Sequence, residues 1–154
     1  MTTPEALIAH VAPITEFLAQ ADWTDSDALA QALEARFPAA KQSALSQMLL
    51  AGRDAGWLTP KRATDTLTFG RVAKPGPATH GHSLDAVDMS GAGAAHTHPN
   101  GEVSFCVATE GDPRFCGHPA GWVAVAPGSR HIPEVTGGRM VIVYFLPEGA
   151  MVWG

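Results

Sequence analysis

The spacing of apolar residues and glycines changes near residue 60, and this change limits the folds that the chain can adopt. Before it, glycine is rare and apolar residues recur at helical spacing. After it, short apolar stretches alternate with glycine, proline, asparagine and aspartate. Helical spacing predicts helices, and frequent turns between short apolar stretches predict strands. We therefore predict a helical N-terminal segment, residues 1–60, followed by a β domain, residues 61–154.

Three helices are predicted in the first segment. Thr2 or Thr3 can cap the first, and Pro13 should kink or divide it. The others are expected from the Thr24–Asp27 cluster to Pro38 and from about Ala40 to Ala55. The segment is short for an independent domain, so its apolar face should pack on the β domain or on a second subunit. A lid over the mouth of the β domain is the alternative.

The β domain is predicted to contain many short strands. Such strands, with frequent turns between them, favour a small barrel or jelly roll. The whole chain is then a mainly β protein in which the helical segment precedes the β domain. The strand candidates are Thr66–Ala73, Ser83–Met89, Val103–Thr109, Gly121–Ala126 and Arg139–Leu146.

Charge and composition exclude several classes of function. The formal net charge is -5 and no basic run occurs, so nucleic acid and anionic membrane surfaces are poor partners. The two cysteines, Cys106 and Cys116, are too few for a disulfide scaffold. The longest apolar run, Met140–Leu146, is too short to cross a bilayer, and residues 1–20 lack the features of a signal peptide. We expect a cytoplasmic protein.

A metal-ligand pattern stands at residues 96–102, which read His-Thr-His-Pro-Asn-Gly-Glu. On a strand, residues two apart point to the same side, so His96 and His98 should project together. The Pro-Asn-Gly turn could bring Glu102 back towards them, and His131 is a fourth candidate ligand. Imidazole and carboxylate groups suit a divalent metal, but they do not distinguish Fe, Mn, Ni, Zn and Cu.

These residues resemble the two sequence motifs of the cupin superfamily. The ligand offsets are intact, although the flanking glycines and Pro127-Gly128 depart from the usual spacing by one or two residues. The resemblance implies a cupin-type double-stranded β-helix, a jelly-roll barrel, with a divalent metal held in its mouth by His96, His98, Glu102 and His131. A metal-free cupin whose histidines line a polar pocket is the alternative.

Four further residues are candidates for catalysis and substrate binding. His118 lies between the two motifs, and Glu134 follows His131 by three residues, so either could transfer a proton. Arg130 and Arg114 are candidates to bind a substrate carboxylate, because a guanidinium can do so with two hydrogen bonds. Solvent-exposed charges are the alternative interpretation of both arginines.

A closer resemblance is to the 4-hydroxylaminobenzoate lyase family. It rests on the segments His96–Glu102, Phe115–Trp122, Pro127–His131 and Tyr144–Ala150. It implies a lyase of bacterial nitroaromatic catabolism that converts 4-hydroxylaminobenzoate to 3,4-dihydroxybenzoate (protocatechuate) and ammonia. That reaction is redox-neutral, so neither NAD nor flavin is expected, in keeping with a chain that has no glycine-rich dinucleotide loop.

Two other functions remain open at this point. One is a cupin dioxygenase that uses Fe(II) and molecular oxygen, and the other is a non-enzymatic cupin that binds a small ligand. For each of them a small molecule is the expected partner. Cupins commonly dimerise, so the resemblance also implies a homo-oligomer, in which the apolar strand Met140–Leu146 could contribute to the interface.

Overall fold

Three α-helices precede nine β-strands in the computed structural model, which describes residues 2–154. The helices are α1 (Pro4–Gln20), α2 (Ser26–Arg36) and α3 (Ser43–Ala55). The strands are β1 (Lys61–Thr64), β2 (Leu67–Ala73), β3 (His82–Ala92), β4 (His96–His98), β5 (Glu102–Phe115), β6 (Gly121–Val125), β7 (Ser129–His131), β8 (Glu134–Pro147) and β9 (Val152–Trp153).

The helix ends follow the predicted capping residues. The Thr3 hydroxyl accepts a hydrogen bond from the N–H of Ala6 at 3.1 Å, which satisfies one of the free donors at the start of α1.

Pro13 lies inside α1 but does not divide it, so that part of the prediction is wrong. The buried side chains of Val11 and Ile14, on either side of Pro13, hold both halves of the helix against the core.

The strands form two antiparallel sheets. The large sheet has the order β1-β2-β3-β8-β5-β6, and the small sheet has the order β7-β4-β9. Three of the five strand candidates lie within strands of the structure, and Thr66–Ala73 and Gly121–Ala126 each extend one residue beyond a strand. The predicted fold class, a jelly-roll type β protein preceded by helices, is confirmed. The sequence did not predict β1, β7 or β9, because strands of two to four residues are too short for an alternating pattern to be recognised.

The strands β5 and β8 are longer than predicted, since both continue through glycine-rich stretches. Their pairing extends from Val103–Phe145 to Phe115–Val135, with irregularities near Gly111. The backbones approach so closely there that a Cβ atom on Gly138 would collide with the carbonyl oxygen of Glu110. Glycine at this position therefore permits a bulged pair of strands rather than ending it.

The helices pack on one face of the large sheet. Leu7, Leu33 and Leu49 belong to the same buried cluster as strand residues of that face, which include Leu84, Ala86, Val103, Val143 and Phe145. Residues that alternate with these face the small sheet instead. The helices thus cover the side of the sheet opposite the candidate site, and they do not form the lid considered as an alternative. Division into domains at residue 60 stays a prediction.

None of the helices in residues 2–154 is long and apolar enough to cross a membrane.

Candidate metal centre

Two short strands and a turn position four candidate ligands. The strand β4 pairs with β7, and His96 stands opposite His131 in the register. Alternation places His96 and His98 on the same face of β4. The turn before Glu102 passes through Gly101 at φ 86°, where a Cβ atom would lie 2.9 Å from the carbonyl oxygen of Val125. Glycine is therefore required for the turn that brings the carboxylate to the three imidazoles.

The ligand atoms of these residues form a compact cluster. The Nε2 atoms of His96 and His98 are 2.9 Å apart, those of His98 and His131 are 3.1 Å apart, and those of His131 and His96 are 3.0 Å apart. The Oε2 atom of Glu102 lies 3.0 Å from His98 Nε2. Three of the residues are buried and His131 is partly buried. The predicted ligands are thus brought together.

This donor set fits a divalent metal ion. An imidazole nitrogen either carries a proton or accepts one, so three nitrogens in mutual contact cannot form three hydrogen bonds. A shared cation satisfies all three lone pairs together. Nitrogens held about 2.1 Å from one ion lie about 3.0 Å apart when their bonds make right angles, and about 3.4 Å apart in a tetrahedron. The observed spacings of 2.9–3.1 Å match the right-angled arrangement.

Burial disfavours the charged form of all four side chains. Burial, together with the neighbouring His96 and His131, lowers the pKa of His98 to about 3. Burial likewise lowers the pKa of His131 to about 4. It raises the pKa of Glu102 to about 7, against the effect of the hydrogen bond from Ser104. Neutral imidazoles are the form that binds a metal ion.

Neighbouring groups orient two of the four side chains. His96 donates a hydrogen bond from Nδ1 to the carbonyl oxygen of Ala94 at 2.9 Å, which leaves Nε2 free to act as a ligand. The Ser104 hydroxyl donates to Glu102 Oε1 at 2.9 Å, on the oxygen that does not face His98. Within residues 2–154, the buried Nδ1 of His98 has no hydrogen-bond partner, so no hydrogen bond at this atom orients the ring.

The cluster opens into a cavity of about 420 Å³ between the two sheets. This volume lies in the usual range for sites that bind small molecules. His96 and His131 line the cavity from the small sheet, and Glu102 lines it from the large sheet. Much of the remaining wall is apolar, with Val87 and Ile142 among its residues.

The structure does not bring the other four predicted residues to this cavity. Glu134, His118, Arg130 and Arg114 are all exposed, and none of them lines the wall. Nε of Arg130 donates to the carbonyl oxygen of Gly154 at 3.1 Å, and Nη2 of Arg114 lies 3.6 Å from Oδ2 of Asp112. Their roles stay predictions that their positions do not support.

Strand alternation explains three of these four positions. Arg130 precedes His131, Arg114 precedes Phe115, and Glu134 precedes Val135, and in each pair the second residue points inward. The first residue of each pair must then point outward. His118 lies in the turn after β5, where its backbone exchanges two hydrogen bonds with Phe115.

Sequence reasoning missed the polar side chains that do line the wall. Arg71, Asp85, Tyr144 and Ser104 all face the cavity. Arg71 and Asp85 stand opposite each other on neighbouring strands, and only the pairing of β2 with β3 brings them together. The available signal in the sequence was the spacing of Arg71, which follows the apolar Leu67 and Phe69 at intervals of two residues and so shares their face of a strand.

Comparisons with known proteins agree on one family. The family model described as PnbB, 4-hydroxylaminobenzoate lyase, matches residues 11–153. A 4-hydroxylaminobenzoate lyase of Pseudomonas putida is 38% identical over 73 residues, which are 45% of this chain and 42% of that protein. A protein of the same name from Nocardioides sp. (strain LMS-CY) is 37% identical over 89 residues, 51% of this chain and 52% of that protein.

The chain thus spans about half the length of the curated relatives it matches. Among solved structures, it is similar to an RmlC-like cupin protein from Ralstonia eutropha JMP134. The identity is 14% and the TM-score is 0.46, over 62% of this chain and 64% of that one.

Proposed function

The chain belongs to the PnbB 4-hydroxylaminobenzoate lyase family, and on that premise we propose that it is a metal-dependent lyase converting 4-hydroxylaminobenzoate to 3,4-dihydroxybenzoate and ammonia. The observation that carries the proposal is the cluster of three imidazoles and one carboxylate at the wall of a cavity of about 420 Å³. A cluster that opens into a cavity can meet a substrate, whereas a structural metal site is closed.

Four side chains would hold the ion: His96, His98, Glu102 and His131. Bound there, a divalent ion supplies Lewis-acid chemistry to an oxygen atom of the substrate or of water. Fe, Mn, Ni, Zn and Cu all accept such a ligand set, and the proposal does not select among them.

The proposed reaction balances with one molecule of water. The N–O bond breaks and its oxygen leaves as water. A second water then adds to the ring carbon next to the one that bears the nitrogen. A third water hydrolyses the carbon–nitrogen bond and releases ammonia. The net change is the uptake of one water, with no external oxidant or reductant. Val87 and Ile142, which line the cavity, offer the ring an apolar surface.

An anaerobic assay tests the proposal. The full chain, loaded in turn with each of the five metals, should convert 4-hydroxylaminobenzoate to equimolar dihydroxybenzoate and ammonia with at least one of them. His98→Ala should lower turnover more than about 100-fold, since His98 contacts the other three ligands. His10→Ala, on the exposed side of α1, is the matched control. Unchanged turnover in His98→Ala would refute the proposed centre.

The same assay separates the alternatives. A strict requirement for molecular oxygen, with oxygen consumed in proportion to product, would favour the dioxygenase. Stabilisation by metal without any turnover would favour a small-ligand-binding protein. Glu134→Gln and His118→Gln test the predicted proton donors, and normal turnover in both would exclude those roles.

A further inference from the structure

A row of four polar side chains crosses the cavity face of the large sheet. Arg71 on β2 is paired in register with Asp85 on β3, Asp85 with Tyr144 on β8, and Tyr144 with Ser104 on β5. Ser104 donates to Glu102 of the metal-ligand cluster. Neighbouring strands lie about 4.8 Å apart, so the backbones of Arg71 and Ser104 are separated by about 14 Å. Arg71 and the cluster therefore belong to opposite ends of the cavity.

Arg71 is held in place by a buried carboxylate. Its Nε donates to Asp85 Oδ1 at 2.7 Å, and its Nη2 lies 3.4 Å from Asp85 Oδ2 and 3.3 Å from the carbonyl oxygen of Gly149. The Ser83 hydroxyl fixes Asp85 in turn, at 2.6 Å. In residues 2–154, Nη1 of Arg71 has no hydrogen-bond partner, and the side chain is 42% exposed. A preorganised guanidinium with free donors thus faces the cavity.

The cavity wall between the two ends is suited to an aromatic ring. Tyr144 separates Asp85 from Ser104 in the row, and Val87 and Ile142 stand beside it on the same face. The cavity therefore has a cation at one end, a candidate metal centre at the other, and aromatic and aliphatic surface in between. A para-substituted benzoate has the complementary order of groups: carboxylate, ring and nitrogen.

We infer that Arg71 binds the carboxylate of an aromatic substrate whose opposite end lies at the His/Glu cluster, an inference that rests on the proposed function. Asp85 acts as a positioning residue, because its carboxylate accepts hydrogen bonds from Nε and Nη2 of Arg71. Lys61 is the other cation that lines the cavity. It is exposed on the edge strand β1 and lacks a fixing carboxylate in the described part of the chain, so it is not preorganised.

Two non-reactive probes test this site by calorimetry on the metal-loaded full chain. 4-Aminobenzoate carries the carboxylate, and 4-aminobenzamide replaces it with a neutral group of similar shape. Arg71→Met should weaken binding of the acid about 10- to 100-fold, the usual loss for a charge-assisted hydrogen bond, and leave binding of the amide nearly unchanged. With 4-hydroxylaminobenzoate, KM should rise by a similar factor while kcat changes less.

Two further variants keep the test interpretable. Arg71→Met leaves the buried Asp85 without its cation, so the double variant Arg71→Met, Asp85→Asn removes both charges in case the single variant unfolds. Arg139→Met is the matched control, because Arg139 also pairs with a largely buried carboxylate, Asp88 at 2.8 Å, but does not line the cavity. It should bind both probes like the unmodified protein.

The outcomes distinguish the inference from the proposed function. Arg71-dependent binding of 4-aminobenzoate without turnover of any hydroxylamine would support the carboxylate site and refute the proposed reaction. Equal affinity of the unmodified protein for acid and amide would overturn the inference. So would undiminished binding of the acid in both Arg71 variants, or a loss confined to Lys61→Met.

Discussion

At the scale of single residues, the candidate centre depends on side chains that orient the ligands as well as on the ligands. Ser104 is buried and donates to one oxygen of Glu102, which leaves the other oxygen directed at His98. Without this hydrogen bond the carboxylate would be free to rotate in a buried site. Partners of this kind commonly contribute 10- to 100-fold to metal affinity.

Ser104→Ala should therefore weaken metal binding about 10- to 100-fold without removing a ligand. Competition with a chelator of known affinity measures the change. Ser83→Ala is the control, since Ser83 is also buried and also donates to a carboxylate, that of Asp85, but lies outside the cluster. Equal metal affinity in the two variants would contradict the role given to Ser104.

At the scale of elements, one face of the large sheet packs on the helices and the opposite face lines the cavity. One face packs on the helices through residues such as Leu84 and Phe145. The other face lines the cavity through residues such as Ile142 and Tyr144. Adjacent residues of one strand thus serve the helical layer and the site in alternation, because side chains along a strand point to opposite sides.

Truncations on the two faces should consequently have different effects. Leu84→Ala and Ile142→Ala both remove a side chain that is at most 1% exposed, and each should lower the free energy of unfolding by about 2–5 kcal/mol. Only Ile142→Ala enlarges the cavity, so only this variant should change KM. Denaturant unfolding and steady-state kinetics measure the two effects. A changed KM in Leu84→Ala alone would contradict the division between faces.

At the scale of the whole molecule, the candidate centre joins the two sheets. Three ligands come from the small sheet and Glu102 comes from the large one. The unfolded chain cannot present these four groups together, so an ion binds the folded form and stabilises it. Assembly into a homodimer and a cytoplasmic location, both expected from the sequence, stay predictions at this scale.

Metal added at about 100 times its dissociation constant should stabilise the fold by about 2.7 kcal/mol. For a chain of this length, the melting temperature should then rise by about 5–10 °C. Scanning calorimetry with each candidate metal, and again after chelation, measures the shift. His98→Ala should abolish it, whereas His118→Ala, at an exposed position, should keep it. A shift that persists in His98→Ala would place the ion elsewhere.

The sequence by itself determined the three helices, the positions of the longer strands and the four candidate ligands. These follow from local rules: residue spacing reports which face of an element a side chain occupies, and capping and turn residues report where elements end. The motif at residues 96–102 is local in the same sense, since β4 and one turn bring His96, His98 and Glu102 together.

Only the tertiary structure decided which other polar residues share the cavity. Arg71, Asp85, Tyr144 and Ser104 come from four strands, and the sheet order makes them neighbours although β8 lies far along the chain from both β3 and β5. The arginines chosen from the sequence, Arg130 and Arg114, were close to inward-facing residues but on the wrong side of their strands. Strand pairing brings together residues that are distant in the sequence, and local residue spacing does not report which strands pair. A shift of one residue in the pairing register moves every side chain of a strand to the opposite face of the sheet, so the register cannot be read from local spacing either.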